Sequence, residues 1–515
     1  MNNFFKNYNW LRCWCYGLLL TLSFAPIHLP AFAIISLALF YRELNQHNLS
    51  NPFTCGFFYG LGLFLLGISW IFVSIHNYGH LHSLTSGLIT LIFISYLALF
   101  PACMASIYVY CNYTKNSLRS IIIFAALWII SEYLRSICFT GFPWLLIGCG
   151  QFDAPTKYLL PIIGVYGTGF ITCIIAGFLA MVIEKSCYKL KSLYLISCLL
   201  LLFMPLLLQK KIIASHNQAL SVAVIQANIS MRDKWDERLF WELLQYYRDK
   251  IEILLGTQLI ILPESAIPVP MTYISDILKD LHKHALQSGS TILLGIPKPT
   301  NFDDNLYYNA LISLGNGNGM YLKQHIVPFG EYIPRHLRWL SQKLHIPDSN
   351  LQSGDKKQYP IKVQYNIPIA SLICYEVAYN ELLRKQLPQA QFIVAISDDG
   401  WFGHSFATYQ QLQMSQVLSF QSSRYQIVAN NDGLSSIINA NGKIIAKLPA
   451  FVAGILKAKI IPLSNTTIWI KFGDKPILLL MMFIIVWNLY KYKSKPFSLL
   501  LLVVSGVILI NIFTN

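Results

Sequence analysis

Long apolar runs stand at both ends of this chain and enclose a stretch of ordinary polarity. That distribution constrains the fold more than any single motif. A membrane-crossing helix needs about 20 mostly apolar residues. Candidate runs lie near 10–26, 31–44, 55–75, 84–111, 119–138, 160–183 and 192–208, and again at 476–490 and 497–513. Charged residues make up only 12% of the 515 residues, against roughly 25% in an average soluble domain. An ordinary soluble enzyme and a disordered chain are both excluded. The expected organisation is a membrane domain of about seven helices over 1–208, a polar domain over 209–475, and a C-terminal helix with a further hydrophobic segment over 476–515. Lys6 and Arg12 before the first run, with Ala31-Phe32-Ala33 after it, also fit a cleaved signal peptide. Pro26 and Pro30 instead read as a tight turn into the next apolar run and favour a retained helix.

The net charge of +15 invites a nucleic-acid reading until the charges are located. The flanks hold 13 of the 39 Lys/Arg and 4 of the 24 Asp/Glu; the centre holds the other 26 and 20. With a cytoplasmic N-terminus, Lys6, Arg12, Arg42, Lys115, Arg119, Lys185, Lys189, Lys191, Lys491, Lys493 and Lys495 all fall in cytoplasmic loops. Only Arg135 and Lys157 fall opposite. Basic residues concentrate on the cytoplasmic side of membrane proteins. Seven crossings then put the central domain outside the cytoplasm. The charge records orientation, and no basic helix or aromatic-basic surface suggests nucleic acid.

The centre alternates short apolar strands with helical periods, which implies a layered α/β domain. Strands are expected at 221–228, 258–262, 291–295, 367–373, 392–396, 425–429, 434–439 and 443–447, with Asn441-Gly442 as a hairpin turn. Helices are expected at 235–255, 276–286 and 409–423. Ten of the 11 cysteines lie in the flanks, where they read as small apolar residues. The centre has one, Cys374, which has no partner for a disulfide within that domain.

Three polar residues sit where strands end. Glu264 follows Leu259-Ile-Ile-Leu-Pro263, Cys374 follows Ile369-Ala-Ser-Leu-Ile373, and Lys323 lies in Met320-Tyr-Leu-Lys-Gln-His-Ile-Val-Pro-Phe-Gly-Glu-Tyr332. Ligand sites in open α/β sheets favour the carboxyl ends of strands. Singly, each residue is more often a solvated carboxylate, a surface amine or a core thiol. Together they form a machine: a thiol nucleophile, a carboxylate to take its proton and an ammonium to stabilise an oxyanion. No His/Cys set has zinc spacing and no phosphate-binding glycine loop is present.

Leu262-Pro-Glu-Ser-Ala-Ile-Pro268, the segment around Lys323, and Ile373-Cys-Tyr-Glu376 resemble the Glu-Lys-Cys triad of the nitrilase (carbon–nitrogen hydrolase) superfamily. The spacings are 59 and 51 residues. Phe24-Ala-Pro, Ser69-Trp-Ile-Phe-Val-Ser-Ile75, Thr140-Gly-Phe-Pro-Trp144 and Ser397-Asp-Asp-Gly-Trp-Phe-Gly403 resemble the apolipoprotein N-acyltransferase family along nearly the whole chain. The resemblance implies an αββα nitrilase-like domain on a helical membrane bundle, in a bacterial inner membrane, facing the periplasm. It implies ping-pong transfer of an acyl chain from a phospholipid such as phosphatidylethanolamine, through a thioester on Cys374, to the α-amine of an apolipoprotein's diacylglyceryl-cysteine. Glu264 is then the base and Lys323 the oxyanion donor, while Glu331, Trp235, Tyr375 and Glu376 match supporting or substrate-handling positions. A monomer without cofactor or metal is expected.

Two loops depart from the family's usual Asn-Asp and Asn-Asn-Gly: here they read Asp398-Asp399-Gly400 and Asn431-Asp432-Gly433. Glu132 and Arg135 are spaced to pair on a helix, and His76 and Tyr78 fall in a loop that either lines a lipid entrance or is ordinary interface. A mobile cover is expected near Trp235, 333–354 or Trp401. Two other readings compete: a membrane-anchored amidase that hydrolyses an amide, and a transporter or receptor whose central domain only binds. The flanks lack the paired interrupted segments that many transporters show.

Overall fold

The computed structural model describes residues 8–46, 49, 51–79, 81–111, 116–184, 187–209, 218–300, 306–333, 339 and 350–491. The hydrophobic run at 497–513, the basic residues Lys6, Lys115, Lys185, Lys493 and Lys495, and most of the expected cover at 333–354 lie outside the described residues. The chain forms two compact units, one of Met1–Phe72, Ser83–Lys210 and Lys471–Asn515, the other of Val73–His82 and Lys211–Ile470.

The first unit is helical. Among the described residues, Ser83–Cys111, Leu118–Thr140, Pro155–Glu184 and Tyr188–Leu208 are long and apolar enough to cross a membrane. Pro52–Gly67 with Ile71–Tyr78 adds a fifth if the bent pair counts as one span. Asn9–Thr21 and Ala31–Leu44 are shorter, as is Lys475–Lys491. Helices in lipid associate through small residues that let backbones approach. Gly17 and Gly62 do this between the first and third helices: a Cβ on Gly17 would lie 2.0 Å from the Tyr59 carbonyl, and one on Gly62 would lie 2.1 Å from that of Trp14.

The expected Glu132–Arg135 pair does not form. Both side chains are buried. Glu132 instead accepts from Trp128 Nε1 at 3.1 Å and from the Ile147 amide at 3.0 Å. Arg135 donates to the carbonyls of Phe142 and Trp144 at 2.7 and 2.6 Å. The chain after the helix folds back on its own last turn, with the Phe142 amide donating to the Arg135 carbonyl at 2.8 Å. Main-chain groups and the Trp128 indole reach the two side chains before they reach each other.

The second unit is two sheets in face-to-face contact. One has the order β13-β1-β2-β3-β4-β5, with β6 beside β4: Gly454–Ile460, Leu220–Gln226, Leu259–Ile261, Thr291–Pro299, Tyr307–Gly315, Met320–Leu322 and Leu351–Gln352. The other runs β12-β11-β10-β9-β8-β7: Ile444–Lys447, Ser436–Ile438, Gln426–Asn430, Phe392–Ser397, Ile367–Ile373 and Lys362–Val363. Side chains alternate faces along a strand. Thus Val222 and Val224 of β1 join Val394 and Ile396 of β9 in the inter-sheet core, whereas Ala223 and Ile225 face the helices Phe240–Leu254 and Ser275–Gln287. Helix Ala407–Ser422 covers the far sheet, where Leu412 packs with Val428 and Ile438. The result is the four-layer αββα sandwich expected. Each fully buried Val, Leu or Ile contributes about 1.5–3 kcal/mol.

β1, β2 and β3 are mutually parallel, as are β8, β9 and β10. Parallel strands end at the same edge, so the residues after β1, β2, β8, β9 and β10 gather there. The helix expected from Trp235 begins at Phe240, because Asp236 accepts from the Arg238 amide and opens a separate short turn. Strands β4, β5, β6, β7 and β13 are not among those expected from the sequence.

Candidate active site

Past the end of β2, Leu262-Pro263 carries the chain to Glu264. The turn is stitched to β3: the Leu262 amide donates to Leu293 O and the Ala266 amide to Gly295 O, both at 2.9 Å. Gly295 permits this approach. A Cβ there would lie 2.4 Å from the Pro263 carbonyl and 2.9 Å from the Glu264 Cα. Ser265 takes φ +44°, in the left-handed region, which a non-glycine residue adopts only when its surroundings enforce it.

The Glu264 carboxylate is buried and fully engaged. Oε1 accepts from Asn309 Nδ2 at 2.7 Å and from Lys323 Nζ at 3.2 Å; Oε2 accepts from the Asp398 amide at 3.1 Å. Lys323 follows β5 and is 1% exposed. Its amide donates to the Asn309 carbonyl at 2.9 Å, so one residue of β4 sets both the backbone of the lysine and the carboxylate of the glutamate. Lys323 Nζ also donates to Glu331 Oε1 at 2.6 Å, and Glu331 Oε2 accepts from the Val327 amide at 2.8 Å. Burial pushes the ammonium towards neutrality, but the carboxylates of Glu264 and Glu331 outweigh it, and the Lys323 pKa is raised. An ammonium between two carboxylates stays charged.

Cys374 begins the turn after β8 at φ +55°. Its thiol is buried, and burial followed by the nearby Glu264 carboxylate raises its pKa, with Lys323 opposing. The thiol therefore stays protonated and needs a base to become a nucleophile. Glu376 holds this turn. It is fully buried and accepts from the amides of Ile373, Gln324 and His325 at 2.8, 2.7 and 3.0 Å, and from Tyr321 Oη. It thus ties the Cys374 turn to the segment after Lys323, a positioning arrangement rather than a surface that meets substrate. Burial pushes its pKa up to about 7 against those amides. Tyr375 packs edge-on against Tyr379, whose ring lies 3.7 Å from that of His325. Burial, then Lys323, lowers His325 to about 4.

Trp235 is about half exposed, and the structure does not join it to the buried cluster by a hydrogen bond. Its neighbour Lys234 is joined. Lys234 Nζ donates to the Glu264 carbonyl at 2.8 Å and forms an ion pair with Asp398. Lys234 and Asn309 carry no signal in the sequence, and Asp398 stands out there only as a departure from the family's loop, because their partners lie 30 to 164 residues away. Asp432 is pushed up to about 8 by burial and by the Asp398 and Asp399 carboxylates. Tyr78 lies in the helix Ile71–Tyr78 and not in a loop; its hydroxyl donates to the Gly400 carbonyl at 2.6 Å and its ring packs on Trp401. Among the described residues, no group of three or more His, Cys, Asp or Glu could hold a metal ion.

A buried thiol, carboxylate and ammonium at the strand ends of an αββα sandwich define a carbon–nitrogen hydrolase-type domain, and residues 221–469 match the carbon-nitrogen hydrolase family model. Residues 16–178 match the model described as the apolipoprotein N-acyltransferase N-terminal domain. Curated apolipoprotein N-acyltransferases are similar over most of the chain. Those of Coxiella burnetii and Pseudomonas syringae pv. tomato are each 33% identical, over 469 and 483 residues, covering 90% and 92% of this chain and 96% and 95% of theirs. A solved structure, Saccharomyces cerevisiae Nit3, aligns with 49% of this chain and 93% of its own at 17% identity and a TM-score of 0.36. The chain belongs to the apolipoprotein N-acyltransferase family.

Proposed function

We propose that this membrane protein transfers an acyl chain from a phospholipid, phosphatidylethanolamine being the expected donor, to the α-amine of the diacylglyceryl-cysteine of apolipoproteins. The observation that carries the reading is the buried Lys323 bridging Glu264 and Glu331 beside a thiol held in left-handed backbone. Cys374 Sγ bonds to the ester carbonyl carbon as Glu264 takes the thiol proton. The developing oxyanion is stabilised by the Lys323 ammonium. The ester C–O bond breaks, Glu264 returns the proton to the leaving alkoxide, and lysophospholipid departs. The acceptor amine then attacks the thioester, the C–S bond breaks, and the amine's proton returns to Cys374 through Glu264. Glu331 fixes Lys323, and Glu376 fixes the Cys374 turn. Trp235 and Tyr375 belong to substrate handling.

The organisation that suits this chemistry is a multi-pass bundle over 1–208, the catalytic domain over 209–475, and a last span from 476. The basic bias of the short loops supports a cytoplasmic N-terminus and a periplasmic catalytic domain on the bacterial inner membrane. Both substrates are lipid-anchored, so one monomer with its site at the outer leaflet suffices. Each buried CH₂ of an acyl chain contributes about 0.8 kcal/mol to holding it.

Purified full-length protein incubated with phospholipid labelled in its acyl chain is expected to carry a hydroxylamine-sensitive label on Cys374. It should pass that label to a diacylglyceryl lipopeptide with parallel-line initial-rate plots. Cys374→Ser should do neither. Acylation by Cys374→Ser at the normal rate would sink the mechanism, and labelled free fatty acid without lipopeptide product would make the protein a hydrolase.

A further inference from the structure

We infer that Lys234, through its ion pair with Asp398, is a positioning residue that holds the Glu264 carboxylate in register with Cys374. The inference rests on the reading of Glu264 as the base for Cys374. Lys234 ends the short helix Met231–Lys234 and points inward with its side chain 2% exposed. A buried ammonium needs partners of opposite or dipolar charge. Lys234 has two, the main-chain carbonyl of Glu264 and the Asp398 carboxylate. The loop closes on itself, because the Asp398 amide donates to Glu264 Oε2 at 3.1 Å. One end of Glu264 is therefore held by Lys234 and the other by the residue that Lys234 neutralises. Asp398 is fixed in turn: its Oδ1 accepts from Asn431 Nδ2 and from the Gly400 amide, both at 3.3 Å. Asn431 exchanges hydrogen bonds with the Ile229 main chain, at 2.7 and 3.2 Å, at the root of the segment that carries Lys234.

The charges around this pair argue that it is more than packing. Asp398, Asp399 and Asp432 are all at least nine-tenths buried, and Glu264 lies on the other side. Lys234 is the ammonium bonded to Asp398, whereas Lys323 is bonded to Glu264 and Glu331. Removing Lys234 leaves an uncompensated carboxylate whose own amide touches the catalytic carboxylate. Like charge at that range disfavours a second ionised carboxyl. A Glu264 that has taken up a proton can no longer accept one from the thiol.

The test is the rate at which iodoacetamide alkylates Cys374 in the full-length protein, followed by peptide mass spectrometry from pH 5 to 9, with acyl transfer measured alongside. Lys234→Met is expected to slow alkylation at neutral pH about tenfold or more, to move its acid limb to higher pH, and to lower kcat with the phospholipid KM within twofold. Lys234→Arg should restore part of the rate. A folded Lys234→Met with the wild-type pH profile overturns the inference. If Lys234→Met does not fold, Lys234→Met/Asp398→Asn, which leaves no unpaired charge, is decisive. Folded and slow, with the acid limb back at its wild-type pH because no stray charge remains, supports the inference, since the bond from Lys234 to the Glu264 carbonyl is still lost; folded and as fast as wild type overturns the positioning role; failure of both to fold makes Lys234 purely structural and also overturns it. Wild-type Cys374 that neither alkylates nor accepts an acyl chain would instead strike at the proposed function.

Discussion

In the helical unit Arg135 is 4% exposed and its guanidinium donates to two main-chain carbonyls, while Glu132, one turn earlier, takes an indole and an amide. In the two-sheet unit Lys323 is 1% exposed and its ammonium touches two carboxylates, and Lys234 pairs with a third. The first arrangement neutralises charge with dipoles that belong to the fold itself and cannot change protonation. The second sets ionisable groups against each other, so that a proton moving at one is felt at the rest. A buried cation among carbonyls suits structure, whereas one among carboxylates beside a thiol suits proton transfer.

The largest effect is expected where the second arrangement is broken. Lys323→Met leaves Glu264 and Glu331 buried without their cation. Breaking a buried pair from one side costs about 3–5 kcal/mol, and loss of the proposed oxyanion donor costs on the order of 10² to 10³ in kcat. Thermal melting and lipopeptide acylation should both collapse. A stable Lys323→Met would mean that the carboxylates are not held as charged groups.

Gly295→Ala tests geometry with every charge left in place. The added methyl would meet the Pro263 carbonyl and the Glu264 Cα, so the turn must shift by roughly an ångström. A displacement of that size can cost about 10²-fold in rate. Initial rates should fall while the melting temperature moves by a few degrees only; an unaltered rate would show that the position of Glu264 tolerates movement.

Arg135→Met is the counterpart of Lys323→Met in the helical unit. It orphans neutral carbonyls and removes the charge together with its bonds, so about 1–3 kcal/mol is expected. A loss on calorimetry equal to that of Lys323→Met would erase the distinction between the two units.

Much of this was legible in the sequence, and what was not shares a cause. The inter-sheet strands are apolar runs, and the catalytic candidates follow them directly. Strand β13, Gly454-Ile-Leu-Lys-Ala-Lys-Ile460, carries the lysine–apolar alternation of a half-buried edge strand, but its place beside β1, more than 200 residues earlier, has no local signal. Asn309 and Lys234 give no local signal: an asparagine in a strand and a lysine ending a short helix acquire meaning only when the fold brings them to Glu264. The Glu132–Arg135 pairing failed for the same reason, since helical spacing says nothing of the loop that returns to claim both side chains.

The smallest effect at neutral pH is expected at His325, and it sharpens the contrast by asking whether the paired site resists a further positive charge. Burial and Lys323 hold His325 down at about 4, against about 6.5 in an unfolded chain. Between those values the unfolded state binds more protons, so stability must rise with pH across about 4 to 6.5 and level off above it. His325→Phe keeps a ring against Tyr379 but carries no proton. Its stability should match wild type within about 1 kcal/mol at pH 7 and exceed it increasingly as pH falls towards 4, by on the order of 3 kcal/mol at the end of the window. Parallel denaturation curves for the two proteins across that range would show that neither burial nor the Lys323 ammonium holds His325 down.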